Sequence, residues 1–94
     1  DGVSHYHSVL FVRDDSPVRA LSDLRNRRLA LQSPASTSAY LLPAITVLDA
    51  GVPMEILPSP VDRPRSGGVG YVFGNTEANI ATWVLKGVVD AGAF

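Results

Sequence analysis

Three hydroxyl residues in succession, Ser36, Thr37 and Ser38, separate an apolar run at 29–32 from a longer apolar segment at 41–50. That arrangement reads as the turn where a buried strand ends and a helix begins. The first amides of a helix have no partner within it. Those donors and the positive end of the helix dipole point the same way, so such an end attracts anions. A second junction of this kind is Gly74-Asn75-Thr76-Glu77. Asn75 or Thr76 serves as its cap, and Glu77 lies in the first turn, where a carboxylate suits the dipole. The candidate oxyanion site therefore comprises Ser36, Thr37, Ser38, Tyr40, Asn75, Thr76 and Glu77. Plain helix capping explains the hydroxyls at both junctions equally simply. Tyr40 either lines the site or packs on the preceding strand.

Other chemistry finds less support. A nucleophilic serine needs a base within reach, and the two histidines, His5 and His7, sit at the other end of a strand. The sequence holds no Gly-x-Ser-x-Gly elbow and no P-loop. The glycines at 67, 68, 70 and 74 bracket a strand and do not form a phosphate-cradling loop. His5 and His7 share one strand face, but a metal needs a third ligand and none lies nearby. The expectation is a binding protein without a cofactor, not an enzyme. Arg27 and Arg28 read as a solvated surface pair, although arginine recognises oxyanions well.

Composition narrows the class further. With 94 residues, the chain is one small domain or part of one. A chain of this size buries about 60–65% of its unfolded surface, so its core is modest. Hydrophobic residues at 46% and charged residues at 18% are inconsistent with disorder. A net charge of −1 gives no electrostatic pull toward nucleic acid or an anionic membrane. Without cysteine there is no disulfide framework and no thiolate metal site. No apolar run approaches the roughly 20 residues that span a bilayer. The opening Asp1-Gly2 and the apolar end suggest a piece of a longer protein.

The elements that must position the site follow from pattern. Residues 5–12 are aromatic and β-branched and read as one strand, its second half buried on both faces. Turn formers and Pro17 stop it. Ser22 caps a short helical turn, and Asn26 ends it in the left-handed region that Asn tolerates. A second strand spans 28–32. The helix after the hydroxyl run presents Leu41, Leu42, Ile45 and Leu48 to the core, with Gly51 as its C-terminal cap. Pro43 bends this helix and sets its first turn apart. Residues 52–68 form a Pro- and Gly-rich surface loop with an extended stretch near 54–57. A third strand spans 69–73. The next helix has Ile80, Trp83, Val84 and Val88 on its core face, and 89–94 reads as a fourth strand. Strand and helix alternate, which predicts an α/β fold: three layers, a mainly parallel sheet flanked by helices, right-handed crossovers. In such sheets ligands bind beyond the carboxyl ends of strands, so residues 36–38 and 75–77 should share one rim.

At these residues a family resemblance emerges. The run Ser36-Thr37-Ser38-Ala39-Tyr40, with Pro43 beyond it, resembles the phosphonate-binding subunits of bacterial ABC importers. Their usual pattern is Ser-Thr-Ser-Gly-Tyr followed by a proline. Gly74-Asn75-Thr76-Glu77, Lys86-Gly87-Val88-Val89-Asp90-Ala91-Gly92 and the opening Asp15-Ser16-Pro17 with Leu21-Ser22-Asp23-Leu24 agree as well. Ala39 stands where the family has Gly, and Thr76 where it commonly has His. The resemblance implies one lobe of a type II periplasmic binding protein, the second, occupying residues 1–94 as a single unit. It implies that Ser36, Thr37 and Ser38 hold a phosphonate, phosphite or phosphate-like anion in a periplasmic or extracytoplasmic protein, lipid-anchored forms included. The implied partner is an ABC permease, met through the full-length protein. The same fold also serves as the sensor of kinases and transcription regulators, which is the alternative reading. A lobe cut from its partner exposes an apolar hinge face, so self-association is expected.

Overall fold

The computed structural model describes residues 3–7, 10–35, 40–65 and 67–93, with side chains described from residue 10 onward. Six strands form one sheet: β1 (Val3–His7), β2 (Leu10–Arg13), β3 (Arg28–Leu31), β4 (Met54–Ile56), β5 (Val69–Phe73) and β6 (Ala91–Gly92). Their spatial order is β1-β2-β6-β3-β5-β4. The pairs β6–β3, β3–β5 and β5–β4 are parallel, whereas β2 runs antiparallel to both β1 and β6. Helix α1 (Leu42–Asp49) lies between β3 and β4, and α2 (Glu77–Leu85) between β5 and β6. The α/β, mainly parallel expectation holds.

The two helices cover opposite faces. On β3, Leu29 and Leu31 pack in one cluster with Val47 of α1, while Ala30 packs in the other with Ile80 and Val84 of α2. Along β5, Val69, Tyr71 and Phe73 face the α1 side and Val72 the α2 side. This is the period-2 alternation of a strand covered on both faces. Leu10, Phe11 and Val12 of β2 are all buried and divide the same way.

Both helices stop by the same device. Gly51 and Gly87 adopt positive φ, 82° and 74°. Gly51 N–H donates to the Leu48 carbonyl and Val52 N–H to that of Val47; Gly87 and Val88 do the same to Val84 and Trp83. These paired bonds are Schellman caps. Val47 and Val52, the residues such a cap brings together, are both fully buried. The packing of α2 depends on two absent side chains. A Cβ on Gly74 or on Gly92 would stand 2.6 Å from an Ile80 methyl or methylene carbon, so the helix rests directly on bare backbone.

Five expectations need correction. Residues 5–12 are not one strand but parts of two antiparallel ones, β1 and β2. Nothing between His7 and Leu10 is Gly, Pro, Asn or Asp, so the sequence carries no turn signal there. The short turn after Pro17 is a 3-10 helix, Leu21–Leu24, entered at Ala20 and not at Ser22. Asp23, the third residue of the turn, reaches back to accept from the amides of Arg19 and Ala20. Asn26, at φ 64°, does end it. The core face of α1 is Pro43, Ala44 and Val47. Leu41, Leu42, Ile45 and Leu48 are 45–54% exposed. Pro43 falls in the first turn of α1, where its missing N–H has no helical partner to lose, so it costs no hydrogen bond. Finally, Arg27 and Arg28 are half-buried ties at the start of β3. Arg27 donates to the Asp23 carbonyl and lies 3.6 Å from Asp90; Arg28 donates to the Pro60 carbonyl.

The corrected α1 face has a direct test. Val47→Ala removes about two buried methylene equivalents and should cost about 2 kcal/mol in urea unfolding. Ile45→Ser should stay within about 0.5 kcal/mol of the parent. The reverse ranking would restore the face that periodicity suggested.

Candidate functional site

The site is set by where β3 and β5 end. They are adjacent and parallel, with Leu31 opposite Phe73. Pairing continues past the strands: Gly74 N–H donates to the Leu31 carbonyl and Asn75 N–H to that of Gln32, both at 2.8 Å. The chain then leaves β3 toward α1 on one face and leaves β5 toward α2 on the other. Neighbouring strands whose connections part in this way open a crevice at their carboxyl ends, the usual ligand position in α/β sheets.

The α2 side of this rim is well defined. Asn75 turns the chain with φ 71°, a conformation Asn adopts more readily than most residues. Thr76 is extended, at φ −121° and ψ 151°, and its hydroxyl accepts from the Asn79 amide at 3.1 Å. Asn79 also donates through Nδ2 to the Gly74 carbonyl at 2.9 Å, tying the cap to the strand end. The first intrahelical bond runs from Ile80 N–H to the Thr76 carbonyl. Among the described residues, no acceptor bonds the amides of Glu77 and Ala78. Asn75, Thr76, Glu77 and Ala78 are exposed. Two free amides, one threonine hydroxyl proton and the helix dipole thus meet on an open rim. The Glu77 carboxylate has the wrong sign for an anion, which leaves its backbone amide as the useful group.

Ser36, Thr37 and Ser38 lie outside the described residues, as does Ala39. The segment that leads to them starts at Gln32 and Ser33, beside Asn75. Tyr40 follows them, half-buried, in a wide π-type turn before α1. Its ring meets Phe73 edge-on, centroids 5.5 Å apart at 63°, and Phe73 meets Tyr71 likewise, at 5.8 Å and 85°. The structure thus places Tyr40 on the strand. Burial, and then Tyr40 beside it through charge and a hydroxyl hydrogen bond, pushes the Tyr71 phenol above its ordinary pKa. The sequence reading did not single out Asn79, Tyr71 or Phe73. The signals available were Asn three residues after the threonine cap and aromatic residues two apart on one strand face.

Features elsewhere do not compete with this rim. Among the described residues, no group of three His, Cys, Asp or Glu side chains could hold a metal ion. Among them, too, no helix is long and apolar enough to cross a membrane. A cavity of about 160 Å³ lies between Arg13, Gly87 and Asp90, at the opposite end of the strands. Another, of about 440 Å³, lies beside β4 between Leu57 and Arg65.

Residues 1–94 match the family described as ABC transporter, phosphonate, periplasmic substrate-binding protein. Among solved structures, the chain is similar to XAC2383 from Xanthomonas citri, in one structure bound to chloride ion and in another bound to ATP. In both, identity is 43% and the TM-score 0.86, over 92% of this chain and 31% of that one. The chain therefore spans about a third of the length of the solved protein.

Thr76→Ala removes the acceptor for Asn79 and should cost about 1 kcal/mol of stability, read as a lower urea midpoint. Thr76→Ser keeps the acceptor and should recover most of the loss. Equal stability of Thr76→Ala and the parent would show that the cap contributes nothing.

Proposed function

Because the chain belongs to the periplasmic substrate-binding proteins of phosphonate ABC transporters, we propose that its β3/β5 rim holds a small oxyanion, phosphonate, phosphite or phosphate-like. The observation that carries this reading is the pair of unbonded, exposed amides of Glu77 and Ala78 at the start of α2, beside the crevice at the β3 and β5 ends. Main-chain donors with a helix dipole suit a tetrahedral anion without requiring a cationic side chain. Ser36, Thr37 and Ser38 supply hydroxyls and amides from the β3 side, and Asn75 and Thr76 supply polar groups from the β5 side. Tyr40 walls the site from its packed position on Phe73. Thr76 contributes a neutral donor that keeps its form across physiological pH, unlike a histidine. The 43% identical Xanthomonas citri protein has been solved bound to ATP, and the phosphates of that molecule present the same oxyanion chemistry.

Family membership supports a location outside the cytoplasm and a part in transport. The finer assignments are our own reading. Residues 1–94 form the second of two lobes that close on the ligand, the whole protein delivers it to an ABC permease, and a lipid anchor is one way the whole protein is retained. The exposed apolar side of α1, with Leu41, Leu42, Ile45 and Leu48, gives the isolated chain a surface through which copies self-associate without physiological meaning.

Titration calorimetry of the full-length protein with methylphosphonate, phosphite, phosphate and sulfate tests the function. Saturable binding of at least one is expected, weakened about two- to tenfold by Ser36→Ala or Thr76→Ala, the loss of one hydrogen bond. No binding across the panel rejects the reading. Size-exclusion chromatography of the 94-residue chain should show association that Ile45→Lys reduces. A monomer at high concentration contradicts the apolar contact.

A further inference from the structure

We propose that Asn79 is a positioning residue of the anion rim: it holds the first turn of α2 to the end of β5 and occupies acceptor oxygens that would otherwise oppose an anion there. The effect on binding rests on the oxyanion reading above; the hold on α2 does not.

Asn79 makes two bonds. Its main-chain N–H donates to the Thr76 hydroxyl at 3.1 Å, and its side chain donates through Nδ2 to the Gly74 carbonyl at 2.9 Å. Any residue three past a threonine cap can make the first bond. The second needs a side-chain donor, and an ionised aspartate of the same shape offers only acceptors. The Gly74 carbonyl also accepts from the Thr76 amide at 2.9 Å. A carbonyl oxygen has two lone pairs, so both are taken. Left half-filled, this oxygen would add partial negative charge beside the Glu77 and Ala78 amides and repel an anion. The Thr76 oxygen is likewise engaged as an acceptor, which leaves its proton for another partner.

The same residue helps to set the pose of the helix. Ile80, next in sequence, rests on the bare Cα of Gly74: a Cβ there would stand 2.6 Å from Ile80 Cγ1. Gly74 is itself bonded through its N–H to the Leu31 carbonyl of β3. Asn79 and Ile80 therefore fasten the first turn of α2 to one residue of the sheet edge, one by a polar contact and one by an apolar contact. Glu77 and Ala78, whose amides are the proposed donors, lie between that attachment and the Thr76 cap. Asn79 is half-buried and its Nδ2 is engaged with Gly74, so it acts on a ligand through the groups it holds.

Asn79→Ala and Asn79→Asp in the full-length protein provide the test. In the anion-free protein, Asn79→Ala should accelerate amide hydrogen exchange at Asn79's own position and at Ile80 about two- to tenfold. Calorimetry with methylphosphonate, phosphite and phosphate gives the anion that the parent binds most tightly, and Asn79→Ala should weaken it by a similar factor. Asn79→Asp puts a carboxylate in the first turn of α2, where the dipole favours it, so its urea midpoint should match or exceed that of Asn79→Ala. Its affinity at neutral pH should nevertheless fall about tenfold or more, because a like charge stands beside the anion. An aspartate titrates at about pH 4, and its protonated form again offers Gly74 a donor, so this deficit should shrink as the pH is lowered toward that value. Each affinity is taken relative to the parent at the same pH, which cancels the titration of Glu77 and of the anion. Val18→Ala, a buried change beside Pro17 at the opposite end of the strands, is the control for lowered stability and should leave affinity within about twofold. Unchanged exchange in Asn79→Ala overturns the hold on α2. Unchanged affinity in Asn79→Ala, or an equal loss in Val18→Ala, overturns the positioning role. An Asn79→Asp deficit no larger than that of Asn79→Ala at any pH puts the bound anion away from α2 and overturns the placement of the site. A parent that binds none of the anions removes the site reading and the positioning role together, whatever the exchange shows.

Discussion

The parallel hydrogen-bond ladder between β3 and β5 is the constraint on which the rest of the structure depends. It brings Leu31 and Phe73 opposite one another and carries on into the loops through Gly74 and Asn75. Because two chain segments distant in sequence end side by side, the starts of two connections share one rim. Those connections leave on opposite faces, the arrangement beside which α/β sheets usually bind ligands. Shifting β5 by one residue would turn Tyr71 and Phe73 to the α2 side and Val72 to the α1 side. It would lose the aromatic row and the alignment of the rim together.

Packing on each face supports this register in a different way. On the α2 side, contact is close and backbone-based: Ile80 sits where Gly74 and Gly92 have no side chains. Gly74 is also the first residue of the rim, so the seating of α2 and the direction of its free amides are linked. On the α1 side, contact is through side chains: Val47 and Val52 join across the Schellman cap, and Tyr40 joins the aromatic row. At the other end of the strands, Asp90 accepts from the Arg28 amide and lies near the Arg27 guanidinium. The guanidinium groups of Arg27 and Arg28 are thus tied into the structure far from the rim.

Much of the fold was legible because its signals were local. Val69–Phe73 is a strand with the bounds that β-branched and aromatic content suggested, and Thr76, Gly51, Gly87 and Asn26 hold positions that only a few residue types hold well. The face of α1 was not legible, for a physical reason. Leu41, Leu42, Ile45 and Leu48 have helical spacing, but so do Pro43, Ala44 and Val47. A helix that is apolar on most sides gives periodicity no phase, and only contact with the sheet chooses the buried side. The pair β1 and β2 was read as one strand because residue type reports extended backbone and not its reversal. For the candidate site, the α2 junction was legible to within one residue, Asn75 or Thr76, and the structure makes Thr76 the cap. The contact of Tyr40 with Phe73 was not, because it joins residues far apart in sequence.

On the proposed reading, unbonded main-chain amides at strand-to-helix junctions stabilise a negatively charged ligand. Backbone amide shifts in the isotope-labelled full-length protein, followed during titration with methylphosphonate, test it most directly. The account predicts saturable shifts that are largest at Glu77 and Ala78 and at Ser36–Ser38. Shifts that leave those amides unmoved, or that gather around Arg27, Arg28 and Asp90 at the other end of the sheet, would contradict it.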